Sequence, residues 1–85
     1  MRTIKELSHD AFYKMEKYSQ IVIDYVEEAE YCINTNDYDK ESDRRREIGS
    51  LSYNVDVLLE VINPELFDDV LILKELKVIL DNENK

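Results

Sequence analysis

The chain contains one cysteine, one glycine, one proline and no tryptophan in 85 residues. A lone cysteine, Cys32, excludes an internal disulfide framework and a multi-cysteine zinc site, and it fits a reducing compartment. A single glycine leaves no phosphate-cradling loop, and one glycine with one proline offers little turn chemistry, which favours few long helices over many strands. No stretch approaches the roughly 18 apolar residues of a membrane span. The opening residues Met1 to Glu6 also lack the apolar run of a signal peptide, so a soluble, cytoplasmic protein is expected. Positive charge is scarce as well: 20 acidic residues stand against 11 basic ones, a formal charge of −9. That balance repels phosphate backbones and anionic membranes, so neither nucleic acid nor membrane is expected as a direct partner, and a protein with a basic surface is the natural complement.

What is present is enough isoleucine, leucine, valine and tyrosine to build one modest core, so residues 1–85 are expected to form a single domain. Thr3 followed by Glu6 is a capping-box pattern. It opens an apolar series, Ile4, Leu7, Ala11, Met15, Tyr18, Val22, Tyr25, Ala29 and Cys32, at spacings of three and four, which predicts one long helix over 3–33. Asn34 to Asp37 mark a turn, with Asn36 or Asp37 as the next cap. A second helix is expected over 37–62, with Ile48, Leu51, Val55, Leu58, Leu59 and Ile62 inward and Gly49 weakening but not breaking it. Asn63 and Pro64 end that helix and begin a third over 64–80, with 81–85 fraying.

The expected architecture is therefore an all-α antiparallel three-helix bundle, a long hairpin with a shorter third helix. In that arrangement the tip around 28–46 projects bare, and the stripe Tyr53, Val57 and Val61 packs beneath the third helix. The third helix is apolar on more than one side. Leu66, Val70, Leu73 and Leu80 share one face, Phe67, Leu71 and Val78 another, and Ile72 and Ile79 a third. A three-helix monomer cannot bury all of these, so Phe67, Leu71 and Val78, with Tyr53 and Val57, are expected to form an interface with a second copy or a partner.

The chemistry-bearing residues form no catalytic pattern, and no enzyme activity or cofactor is expected. Glu6 and His9 have the Glu-x-x-His spacing of helical di-iron sites, but they fall opposite Ile4, Leu7 and Ala11, and His9 is the only histidine. Asp37, Asp39, Glu41 and Asp43 alternate like the ligands of a calcium loop, yet Ser42 stands where its glycine belongs and Ile48 where its closing glutamate belongs. Cys32 lies on the apolar face and reads as an inert buried thiol. Arg44, Arg45 and Arg46 are embedded among acids, with Arg44 on the inward line and expected to reach Glu28 or Glu30.

The outward side of the first helix carries Glu6, His9, Tyr13, Glu16, Gln20, Asp24, Glu27 and Tyr31. Tyr13, Glu16, Asp24, Glu27 and Tyr31 form the expected partner-facing strip, carboxylates for steering and tyrosines for contact area. An inhibitor, immunity protein or antagonist, phage-encoded or otherwise, that covers a basic surface accounts for the charge, the size and the absent chemistry. The segment Ala29 to Tyr38, followed by a long helix, resembles over that stretch the helical hairpin of flagellar export chaperones. The resemblance implies a chaperone or adaptor that binds an amphipathic helix of its client. A third expectation is a purely structural homo-oligomer.

Overall fold

The computed structural model describes residues 2–35 and 41–85. Those residues form four helices and no strand: α1 (Ile4–Tyr13), α2 (Gln20–Asn34), α3 (Glu41–Val61) and α4 (Phe67–Glu83). The all-helical expectation holds, but the single helix over 3–33 is two helices with a break at residues 14–19.

The capping box starts α1 as its pattern predicts: Thr3 Oγ1 accepts the Glu6 amide at 3.2 Å, and the Glu6 carboxylate accepts the Thr3 amide at 3.3 Å. No glycine or proline ends it. The chain leaves the helix at Lys14 and becomes extended at Ser19, the N-cap of α2. Tertiary bonds hold that break in place. Ser19 does not cap its own helix with its side chain; its hydroxyl donates to Asp69 Oδ2 at 2.6 Å and its backbone amide to Asp69 Oδ1 at 3.2 Å. Beside it Tyr18 donates to Asp10 at 3.0 Å, and Lys17 pairs with Asp68 at 3.2 Å. Folding α1 back onto α2 buries Ile4, Leu7 and Ala11 together with Val22, Ile23, Val26 and Ala29. Met15, expected inward, is exposed because it lies in the turn.

The expected caps Asn36 and Asp37 lie outside the described residues. Within α3 Ile48, Leu51 and Val55 are buried, and Gly49 continues the helix. Between α3 and α4 the Asn63 side chain accepts the Glu65 amide at 3.0 Å, and the Asn63 carbonyl accepts the Leu66 amide at 3.0 Å. Asn63 thus organises a turn rather than capping a helix at Pro64, and α4 begins three residues later than its predicted start. Asp68 and Asp69 occupy the first turn of α4, where carboxylates complement the positive end of the helix dipole.

α4 also runs past Leu80. Its last turn docks on the start of α3: Glu83 pairs with Arg44 at 3.1 Å, and Asn84 Nδ2 donates to the Arg45 carbonyl at 3.2 Å. The third helix of the sequence reading therefore does not stop short, and among the described residues the tip is covered by α4. The architecture has two layers. α3 and α4 pack side by side, α2 lies across both, and α1 contacts α2 and α4. The core between the layers is closed by Leu7, Val22, Val26, Ile48, Leu51, Val55, Ile72, Leu73, Leu76 and Leu80. No described helix is long and apolar enough to cross a membrane.

Candidate protein-interaction surfaces

Charge is distributed unevenly over this scaffold. Most of the described basic residues are held in ion pairs around α1, α3 and α4: Arg2 with Asp10 and Glu75, Lys14 with Asp10, Lys17 with Asp68, Arg44 with Glu41 and Glu83, Arg45 with Glu41, Arg46 with Asp43, and Lys77 with Asp56 and Asp81, whereas Lys5, Lys74 and Lys85 make no ion pair among the described residues. α2 holds Asp24, Glu27, Glu28 and Glu30 and has no lysine or arginine. Among the described residues none of these four carboxylates makes an ion pair. Gln20, Asp24, Glu27 and Tyr31 follow one another at spacings of four, three and four, so they project from one side of α2, and all are exposed. The rigid backing of that side is the buried line Val22, Val26 and Ala29.

The break at residues 14–19 divides the expected strip. Asp24, Glu27 and Tyr31 remain together on α2, Tyr13 ends α1, and Glu16 lies in the intervening turn, all five exposed. Tyr13 packs against His9 with ring centroids 4.3 Å apart and the ring planes inclined by 42°. His9 also lines a shallow groove with Lys5, Ser8 and Phe12 of α1 and Glu27 and Glu30 of α2. The Glu6 and His9 pair is not a ligand set here, because Glu6 is engaged in the cap and His9 on the tyrosine. Cys32 is buried.

Of the calcium-like run, Asp37 and Asp39 lie outside the described residues, while Glu41 and Asp43 pair with arginines of their own helix. Among the described residues no three histidine, cysteine or acidic side chains converge to hold a metal. Arg44 does point inward, but not to Glu28 or Glu30. Its guanidinium donates to the Ile33 carbonyl at 3.0 Å and to Glu83 at 3.1 Å, because α4 extends far enough to supply that carboxylate.

The second surface is apolar. Phe67 is 73% exposed, Leu71 61%, Val78 44%, Tyr53 68% and Val57 42%. Ile72 and Ile79, read as a third face of the last helix, are instead core, with Leu73, Leu76 and Leu80. The stripe Tyr53, Val57 and Val61 is not packed under that helix. α4 meets α3 along Ser52 and Asp56, where Lys77 Nζ reaches Ser52 Oγ at 2.6 Å and Asp56 at 2.9 Å. The hydrogen bond that Lys77 donates to Asp56 foremost, and the one to Asp81 with it, raise the Lys77 pKa above its ordinary value and outweigh the opposing effect of burial.

Sequence reasoning missed Val61 as an exposed member of this surface and Leu66 as an exposed residue before α4, and missed Asp69 altogether. Val61 was visible in the spacing with Tyr53 and Val57; no local signal marks Asp69, whose partner is 50 residues away. Comparison of the chain with protein-family models, with curated proteins and with solved structures found no match in any of the three.

Proposed function

We propose that the chain is a non-enzymatic, acidic, protein-binding module whose α2 side covers a basic surface of another protein, in the manner of an inhibitor, immunity protein or antagonist. The observation that carries this reading is the row Asp24, Glu27, Glu28 and Glu30 on a helix without a single basic residue. Elsewhere Asp10, Glu41, Asp43, Asp56, Asp68, Glu75, Asp81 and Glu83 are held in ion pairs, whereas these four are in none among the described residues, so a rigid helix presents unneutralised negative charge. Such a row accelerates encounter with a positive surface, and a flanking tyrosine supplies contact area once the two have met. Tyr31 stands at the end of the row for that role.

The test is capture from a lysate of the source cell with tagged wild type and with D24N/E27Q/E28Q/E30Q. Raising the salt shortens the screening length from about 10 Å at 0.1 M to about 3 Å at 1 M, which weakens exposed charge pairing and spares buried apolar contact. A basic protein held by the wild type, released by salt and lost by the variant supports the reading. A client that resists both salt and the substitutions overturns it in favour of a chaperone-type groove.

A further inference from the structure

Phe67, Leu71 and Val78 leave α4 on the side roughly opposite its buried residues Ile72, Leu76 and Leu80, and Tyr53, Val57 and Val61 leave α3 roughly opposite Ile48, Leu51 and Val55. Because α2 lies across the inner side of both helices, these two stripes belong to one outer face of the α3–α4 layer, turned away from α1 and α2. We propose that this face is a two-fold interface with a second copy of the chain.

Two properties of the face select that occupant. The first is area. At the exposures observed, the two stripes together present on the order of 600 Å² of accessible surface, and a face that spans both stripes and the seam between them approaches the roughly 800 Å² per partner of a standard interface. The second is charge. Between the stripes run Asp56, Glu60, Lys74, Lys77 and Asp81, a seam of both signs in which Lys77 already pairs with Asp56 and Asp81. The helix α2, by contrast, carries four carboxylates and no base of its own, with Lys5 of α1 lining the groove beside Glu27 and Glu30. Two chains of charge −9 repel one another least through the nearly balanced face. A two-fold axis sets apolar stripe against apolar stripe and a mixed-sign seam against an identical seam, which meets the self-complementarity an isologous interface requires. A strongly basic partner finds no such complement there.

This interface is independent of the α2 surface, and salt separates the two: screening weakens capture of a basic partner but strengthens association of two like-charged copies. The experiment is sedimentation equilibrium of the purified chain from micromolar to near-millimolar concentration at low and high salt, with a dilution series of amide chemical shifts. The expected result is a dimer favoured by salt, with shifts confined to residues 53–61 and 67–78. F67D/L71D, at exposed positions, keeps its helical circular dichroism and raises the dimer Kd about a hundredfold, whereas D24N/E27Q/E28Q/E30Q does not weaken the dimer. A wild type monomeric at near-millimolar concentration in both salts overturns the proposal, as does a dimer whose shifts map to α2 or whose Kd is unchanged in F67D/L71D. Should that variant lose its fold, the shift map of the wild type and the single substitution Y53D decide the question in the same way.

Discussion

Replacing Asp69 by alanine tests whether one buried carboxylate holds the α1–α2 break. Asp69 is 2% exposed and accepts two hydrogen bonds from Ser19, at 2.6 Å and 3.2 Å. Hydrogen bonds to a charged group contribute about 1.5–3 kcal/mol each, partly offset by the desolvation of the carboxylate that alanine no longer incurs. The loss also removes an anion from the first turn of α4, worth roughly 0.3–1 kcal/mol. A net cost of about 2–4 kcal/mol results, large against the roughly 4–13 kcal/mol expected for a domain of this length. The assay is urea unfolding followed by circular dichroism, with S19A and D69A/S19A completing a double-mutant cycle. In thermal melts the same loss lowers Tm by roughly 10–25 °C. A D69A cost below about 0.5 kcal/mol, or strict additivity with S19A, refutes the claim that this pair fixes the turn.

G49A should stabilise the protein by about 0.5–1 kcal/mol, since alanine is the better helix former and an added Cβ meets only the flexible Asn84 Nδ2, at 3.4 Å; a destabilised variant in urea unfolding contradicts the packing described at the end of α4. Stability should also fall at both extremes of pH. Burial pushes the Asp10 carboxyl up, but hydrogen bonds from Lys14, Tyr18 and Arg2 outweigh it and hold the pKa below the ordinary 3.8. Its folded value being depressed, the stability it contributes is present above 3.8 and lost as pH falls through the folded value. Burial first, and then the bond to Asp10, push the Tyr18 hydroxyl from 10.0 up to about 12, so its contribution is complete below 10.0 and disappears as pH rises to about 12. Thermal melts against pH should show an acid limb blunted in D10N and an alkaline limb blunted in Y18F, and limbs unchanged in both variants contradict the assignment.

Helix type was legible in the sequence wherever it depended on local pattern. The Thr3–Glu6 cap, the inward line Ile48, Leu51 and Val55, and the exposed side of the last helix at Phe67, Leu71 and Val78 all follow from spacing. The break at residues 14–19 does not, because apolar residues recur at three and four straight through it and no glycine or proline interrupts them. What holds the break is the bond from Ser19, the N-cap of α2, to Asp69, and a contact across 50 residues leaves no periodic trace. The same holds at the far end. Arg44 was legible as inward, yet its partner Glu83 depends on α4 continuing past Leu80, which the Asn84 contact with α3 secures. The acidic strip was legible residue by residue but not as a surface, since its continuity depended on the unbroken helix. Its α2 portion survives because Asp24, Glu27 and Tyr31 share one helix, whereas Tyr13 ends α1 and Glu16 lies in the turn between them.

The central claim is that α2 presents unneutralised charge to a basic partner. The most direct test measures the association rate of the captured partner with the wild type and with D24N/E27Q/E28Q/E30Q at low and high salt. A wild-type rate at least about tenfold faster at low salt, converging on the variant's at high salt, with little change in dissociation, is the predicted result. Equal association rates at low salt would contradict it.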